Sequence, residues 1–143
     1  PEHLVGKEIR TLEWGIYGAA DRYQPAKLDD LLAEPFIGAS GTLASYAPYK
    51  WLDANRRTPH KQQTDDLIAM AHLAHAGCGL ACLPSDLALP GLRLLAPLPE
   101  IPANKLWVLT HPDLRNISRI RETMRWIAKS LKDDPRLSPG KEL

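Results

Sequence analysis

The stretch TDDLIAMAHLAHAGCGLACLP, residues 64–84, decides the fold class through a change of period partway along it. Thr64 offers a hydroxyl to the free N–H groups of a helix start, and Asp65 and Asp66 sit at the positive end of the helix dipole. Leu67, Met70, Ala71 and Ala74 recur at intervals of three, one and three, which lays one apolar stripe along a helix. Gly77 supplies the stop. Leu80-Ala81-Cys82-Leu83 then reads as a short, fully buried strand closed by Pro84. Helix, glycine turn, strand and proline follow one another directly, so neither an all-helical nor an all-strand reading fits.

The flanks continue the alternation. On the C-terminal side Gly91 to Leu95 reads as a short strand and Lys105 to Thr110 as a longer one, with Pro97, Pro99 and Pro102 holding the link extended. Ile117, Ile120, Met124, Ile127 and Leu131 are spaced 3, 4, 3, 4 and predict a final amphipathic helix, with a loose tail from residue 133. On the N-terminal side Leu4, Val5, Ile9 and Leu12 alternate loosely, and a strand is expected at about 14–18. Pro25 opens a helix of two turns carrying Leu28, Leu31 and Leu32, closed by Glu34-Pro35, and Phe36-Ile37 follows as a strand. Tyr46, Tyr49 and Trp51 suggest packing on a strand at about 49–53, with Lys50, Arg56, Arg57 and Lys61 solvated around a hairpin. The whole predicts an α/β fold with a mostly parallel or mixed sheet.

Composition narrows the function. The 143 residues suit one domain, and 44% hydrophobic with 24% charged residues is a globular balance. A formal charge of +1 is too small to make the whole surface a polyanion-binding face. The charge is uneven: nine basic and five acidic residues lie from Lys105 onward, against nine and twelve before it. The basic residues Arg119, Arg121, Arg125 and Lys129 are best read as the solvated face of the last helix. Cys78 and Cys82, four apart with no second pair, make neither a zinc site nor a CxxC redox motif. The least charged run, Leu67 to Leu83, is broken by Gly77 and Gly79 and holds His72 and His75, so it is not a membrane span. No signal peptide opens the chain, which starts at Pro1 inside a strand-rich segment and reads as a piece of something longer.

No catalytic signature stands out. There is no GxSxG and no HExxH, Asp29-Asp30 and Asp65-Asp66 are explained as helix-start charges, and His111-Pro112-Asp113 is an ordinary turn. His72 and His75 lack a third ligand. The expectation is a protein that is not an enzyme and holds no cofactor or metal. Gly38-Ala39-Ser40-Gly41-Thr42 is a small, hydroxyl-rich turn directly after a strand, without the GK[ST] ending of a phosphate loop. In α/β sheets ligands sit beyond strand C-termini and at helix N-termini, so this turn and the helix start at Thr64 become joint candidates for a binding site.

Three segments carry a resemblance: HLVGKEIRTLEWGIYGAADRY (3–23), AGCGLACLPSDLALPGLRLLAPLPEIPANKLWVLTHPDLR (76–115) and RIRETMRWIAKSL (119–131). With Gly77, Gly79, Leu83-Pro84, Gly91-Leu92 and the run from Leu106 to Pro112, they resemble the C-terminal two thirds of the effector-binding domain of LysR-type transcriptional regulators. The resemblance implies a cytoplasmic protein of periplasmic-binding-protein-like (type II) α/β fold, with a small-molecule effector held in the cleft between two subdomains. It further implies a partial first subdomain at 1–13, a crossing strand at 14–18, a complete second subdomain at 19–105, and a returning strand and helix of the first subdomain at 106–132. The tail is 133–143. Ala39, Ser40, Gly41, Thr42, Thr64 and Asp65 match the second-subdomain wall that faces the effector. Where the family pattern carries a neutral Asn or Ser, Asp65 and Asp66 stand here, and two carboxylates partly cancel the helix end's attraction for an anion. DNA would be bound only through an N-terminal winged helix-turn-helix outside this chain, and the domains would pair as homo-oligomers with no membrane partner. A transporter's solute-binding protein with the same cleft fold is the alternative.

Overall fold

The structure, a computed structural model, describes residues 3–137. Its centre is β2 (Trp14–Ala19), in which all six residues are buried. β2 is flanked on both edges by antiparallel partners, β5 (Ala81–Pro84) and β6 (Leu92–Pro97). The register sets Gly15 opposite Leu83 and Tyr17 opposite Ala81, and a bulge between Ile16 and Tyr17 shifts the pairing with β6. A second unit pairs β3 (Ile37–Ala39) with β4 (Gln62–Thr64) in parallel, and one parallel bridge from Phe36 to Leu80 joins it to β5. That mixture fits the expected α/β class, although the ladders among the described residues are antiparallel apart from β3–β4 and the bridge.

The third unit is an antiparallel pair of β1 (Val5–Leu12) and β7 (Asn104–Thr110), with Val5 opposite Thr110 and Leu12 opposite Asn104. α4 (Ser118–Asp133) lies along it. Of the expected stripe, Ile120, Met124, Ile127 and Leu131 are only half-buried, Ile117 is the exposed N-cap residue just before the helix, and no residue of α4 is fully covered. Arg10 donates to the Lys132 carbonyl at 2.7 Å and pins the end of the helix to β1. The helix runs through Asp133 and a 3-10 turn covers Pro135–Leu137, so regular structure extends into the expected tail; residues 138–143 lie outside the described residues.

The core holds Ile16, Phe36, Ile37, Tyr49, Leu52, Met70, Leu80 and Leu83, all nearly inaccessible to water. Two of these overturn a sequence expectation. Residues 47–55 form a helix, α2 (Ala47–Asn55), not a strand at 49–53 with a hairpin behind it. Pro48 stands in the first turn, where its missing N–H costs nothing, and Tyr49 and Leu52, three apart, share the inward face. Helix α1 (Leu28–Leu31) is one turn rather than two, its end tightened by bonds from Ala33 and Glu34 to the Asp30 and Leu31 carbonyls. Among the described residues no helix is long and apolar enough to cross a membrane.

α3 (Leu67–His75) forms where its stripe predicts, burying Met70, Ala71 and Ala74, and Gly77 beyond its end takes φ +80°. Its cap is not Thr64. Thr64 closes β4, and Asp66 caps the helix, its Oδ1 accepting from the Ala69 N–H at 2.7 Å. The Thr64 hydroxyl accepts instead from the Asp66 N–H at 3.2 Å, which orients the capping residue. Asp66→Ala is therefore expected to cost about 1 kcal/mol of stability, and Thr64→Ala less. Urea unfolding of the two variants checks the order.

Candidate functional site

Parallel strands β3 and β4 end side by side, Ala39 opposite Thr64. Just past that point the Ser40 N–H donates to the Thr64 carbonyl at 2.9 Å, carrying the pairing one step into the loop. Gly41 follows with φ +53° and opens a 3-10 turn over Gly41–Ser45, and a Cβ at Gly41 would come 3.4 Å from that of Asp65. The six residues singled out in the sequence, Ala39 to Thr42 with Thr64 and Asp65, thus stand together at the C-terminal ends of two parallel strands. Ala39, Ser40 and Thr64 are half-buried, while Gly41, Thr42 and Asp65 are exposed. The first N–H groups of a helical turn have no acceptor inside it, so the start of the 3-10 turn offers donors beside the Ser40 and Thr42 hydroxyls. Ser45 reaches back to the Thr42 carbonyl at 2.7 Å and holds that turn closed.

Charge qualifies what this edge can hold. Asp66 uses one carboxylate oxygen on the helix cap, and Asp65 remains exposed next to Gly41. Two carboxylates at one helix start repel an anion that the free N–H groups would otherwise attract. Hydroxyl groups and uncharged polar atoms meet no such opposition.

Sequence reasoning passed over the support behind the loop. His60 lies against Gly38 of β3 and reaches Asp53 of α2 and the Phe36 carbonyl. Neither contact follows a local pattern, and no spacing signal would have found them.

A groove of about 630 Å³ lies elsewhere, lined by Val5, Ile9, Val108 and Met124 together with Arg121 and Lys129. It contains none of the six residues. Its walls are the flank of α4 and one side of the β1–β7 pair, and basic side chains such as Arg115, Arg125 and Lys132 crowd its lining. The strand-end edge is the better candidate for recognising a small polar ligand, because its polar groups are fixed by backbone geometry. Among the described residues no three His, Cys, Asp or Glu side chains group closely enough to share a metal ion. Both cysteines are free, and burial pushes the Cys82 thiol up to about 12, which keeps it protonated and unreactive.

The profile of the family described as LysR substrate binding domain matches residues 1–132. No curated protein sequence matches the chain significantly. Solved structures do. The regulatory domain of CrgA, a LysR-type regulator from Neisseria meningitidis, is 17% identical with a TM-score of 0.60, over 90% of this chain and 69% of that one. The regulatory domain of MexT, a transcriptional activator in Pseudomonas aeruginosa, is 21% identical with a TM-score of 0.61, over 90% and 68%. The effector-binding domain of QuiR, solved in complex with shikimate, is 16% identical with a TM-score of 0.53, over 89% and 64%. The chain therefore spans about two thirds of the length of these domains. Identities this low speak for the fold, which is periplasmic-binding-protein-like, and the profile match supplies the family and disfavours a transporter's solute-binding protein. By that match over nearly its whole length, this chain belongs to the LysR substrate-binding domain family, the effector-binding regulatory domains of LysR-type transcriptional regulators.

Proposed function

We propose that this chain senses a small, uncharged or cationic, hydroxyl-bearing effector at the edge formed by Ala39 to Thr42, Thr64 and Asp65, and passes its occupancy to a DNA-binding winged helix-turn-helix elsewhere in a cytoplasmic regulator. The observation that carries this reading is the meeting of the two loops at the ends of β3 and β4, tied by the bond from Ser40 to Thr64. The acidic pair Asp65-Asp66 is what selects against a simple carboxylate. In this reading residues 19–105 form a complete second subdomain, 14–18 and 106–110 cross between subdomains, and 1–13 with 111–132 belong to the first. The chemistry is recognition, not catalysis.

The test is a thermal-shift screen of small polyhydroxylated metabolites, charged and neutral, with shikimate and its methyl ester as a matched pair. Stabilising compounds should be neutral or cationic rather than carboxylates, and Ser40→Val or Thr42→Val should weaken each about tenfold, the loss of one hydrogen bond. A compound whose shift survives both substitutions binds elsewhere and would refute the site.

The same reading includes a homo-oligomer. The face of β7 turned away from α4 carries Trp107 and Leu109, 46% and 43% exposed, and Trp126 on α4 is 70% exposed. Burying large side chains of this kind is worth about 1.5 to 3 kcal/mol each, enough to favour a second copy over water. Sedimentation at micromolar concentration should give twice the mass of one chain, and Trp107→Lys should halve it. A wild-type monomer would overturn the oligomer.

A further inference from the structure

α4 carries an arrangement of charge that folding does not require. Arg121, Arg125 and Lys129 recur at four-residue intervals, with Lys132 three further on, so four cations follow one another along one side of the helix. Like charges at that spacing weaken a helix rather than support it. Sequence alone assigns Arg119, Arg121, Arg125 and Lys129 to a single solvated face, yet the last three line the groove of about 630 Å³ between α4 and the β1–β7 pair, and Arg119 does not. Lys7 and Arg115 join Lys132 and these three, which brings six cations to one concave surface. The one acidic side chain in the lining, Glu8, already accepts from Lys105 Nζ at 3.0 Å. Arg125 is paired with Glu122 at 2.7 Å, whereas Lys7, Arg115, Arg121 and Lys129 make no ion pair among the described residues.

Most of the remaining lining is apolar. Val5, Lys7 and Ile9 alternate onto one face of β1, Val108 stands opposite Lys7 in the register, and Met124 and Ala128, four apart, belong to the side of α4 that faces them. Val5, Ile9, Val108, Met124 and Ala128 are all half-buried, while the six basic residues are exposed. A half-covered aliphatic surface gains from contact with a further apolar body, and an unpaired guanidinium or ammonium gains from an anion. The volume, about 630 Å³, falls within the roughly 300–1,000 Å³ of small-molecule sites.

We propose that this groove binds a small amphipathic carboxylate, its apolar body against Val5, Ile9, Val108 and Met124 and its charge beside Arg121 and Lys129. Neither half of such a molecule suffices alone. A neutral hydrocarbon chain leaves the cations beside it without a counter-charge, and an inorganic anion leaves the aliphatic side chains in water. A carboxylate can take two parallel bonds from the planar fork of Arg121, which a single hydroxyl cannot. This preference is the reverse of that argued for the strand-end edge, where Asp65 and Asp66 oppose an anion. The two sites therefore take different molecules, and the groove stands without the effector reading.

The test is an amide NMR titration of the intact chain with sodium octanoate, 1-octanol and octylammonium chloride, which share one apolar body and differ in charge. Octanoate should bind about tenfold more tightly than octanol, and octylammonium should not saturate. The shifted amides should be those of Ile9, Val108 and Met124, with Ser40 and Thr42 unmoved. Raising the ionic strength from about 0.05 to about 0.5 M should weaken octanoate severalfold and leave octanol unchanged. Arg121→Gln with Lys129→Gln should bring octanoate down to the affinity of octanol, while Arg119→Gln, on the same helix but outside the groove, should leave it unchanged. Octanol binding as tightly as octanoate, or an equal loss in Arg119→Gln, would overturn the site. Should the double variant fail to fold, the salt dependence and the octanoate–octanol gap on the unmodified chain decide the matter. Binding shown by this chain but absent from the full-length regulator would also overturn it, because polypeptide then fills the groove. Ser40→Val should leave every one of these results unchanged, so a failed effector screen counts against the strand-end edge alone.

Discussion

Tyr49→Ala will cost about 3 to 5 kcal/mol of stability, the range for removing a buried aromatic, whereas Tyr49→Phe will cost about 1 kcal/mol, the usual net worth of a hydrogen bond. The difference reports how α2 is attached. Tyr49 projects from α2 into the core with 1% of its surface exposed, and its ring meets Trp14 of β2 edge-on, centroids 6.1 Å apart at 88°. Its hydroxyl donates to the Cys82 carbonyl of β5 at 2.8 Å and lies 3.5 Å from the Met70 sulfur on α3. One side chain therefore touches β2, β5 and α3 from α2. Burial, with a smaller contribution from Cys82, pushes the phenol well above its ordinary value, so the hydroxyl keeps donating throughout the neutral range. Removing the ring leaves a cavity among four elements that cannot all move inward; removing only the oxygen leaves the packing and unpairs one carbonyl. Urea unfolding of both variants measures the gap. Equal losses would show that the ring packs too loosely to anchor α2.

What the sequence disclosed followed from whether a residue's partners were local. α3 and α4 are legible in apolar spacing, β5 and β6 in short apolar runs between glycine and proline, β7 in an apolar run between prolines, and β2 in loose alternation. The two candidate loops are named from a rule about where strands end, and they lie together because β3 and β4 end at the same level. α2 was misread because Tyr49 and Trp51 weigh toward strand by propensity, while what decides the matter is a core contact to Cys82, 33 residues away. Pro48, in the first turn of α2, is a local signal against a strand that the sequence analysis does not use. The Asp66 cap was misplaced by two residues because β4 claims Thr64, a pairing with β3 that no period reveals. His60 is the extreme case: its partners are a carbonyl 24 residues back and a carboxylate on another element.

Gly79→Ala will destabilise the chain by about 3 kcal/mol or more, and Gly77→Ala by nearer 1 kcal/mol, although the two glycines stand two residues apart in the same turn. Both hold positive φ, +80° at Gly77 and +153° at Gly79, but the second value lies where only glycine is at ease. Their neighbours differ in kind as well. A Cβ at Gly77 would meet the guanidinium of Arg22, the free end of a long side chain that can swing aside at the loss of one bond to the Gly77 carbonyl. A Cβ at Gly79 would fall 2.8 Å from the Pro35 carbonyl oxygen, which is backbone and already bonded. That oxygen accepts from the Leu80 N–H at 2.9 Å, and the Leu80 carbonyl accepts from the Ile37 N–H at 2.8 Å. These two bonds make the Phe36–Leu80 bridge that joins the β3–β4 pair to the central sheet. Pushing the Pro35 oxygen away breaks the bridge, so Gly79→Ala should also quicken hydrogen exchange at Ile37 and Leu80 while leaving the amides of α4 unchanged. Equal costs at the two glycines, or unchanged protection at Ile37, would show that the bridge does not hold the candidate edge to the core.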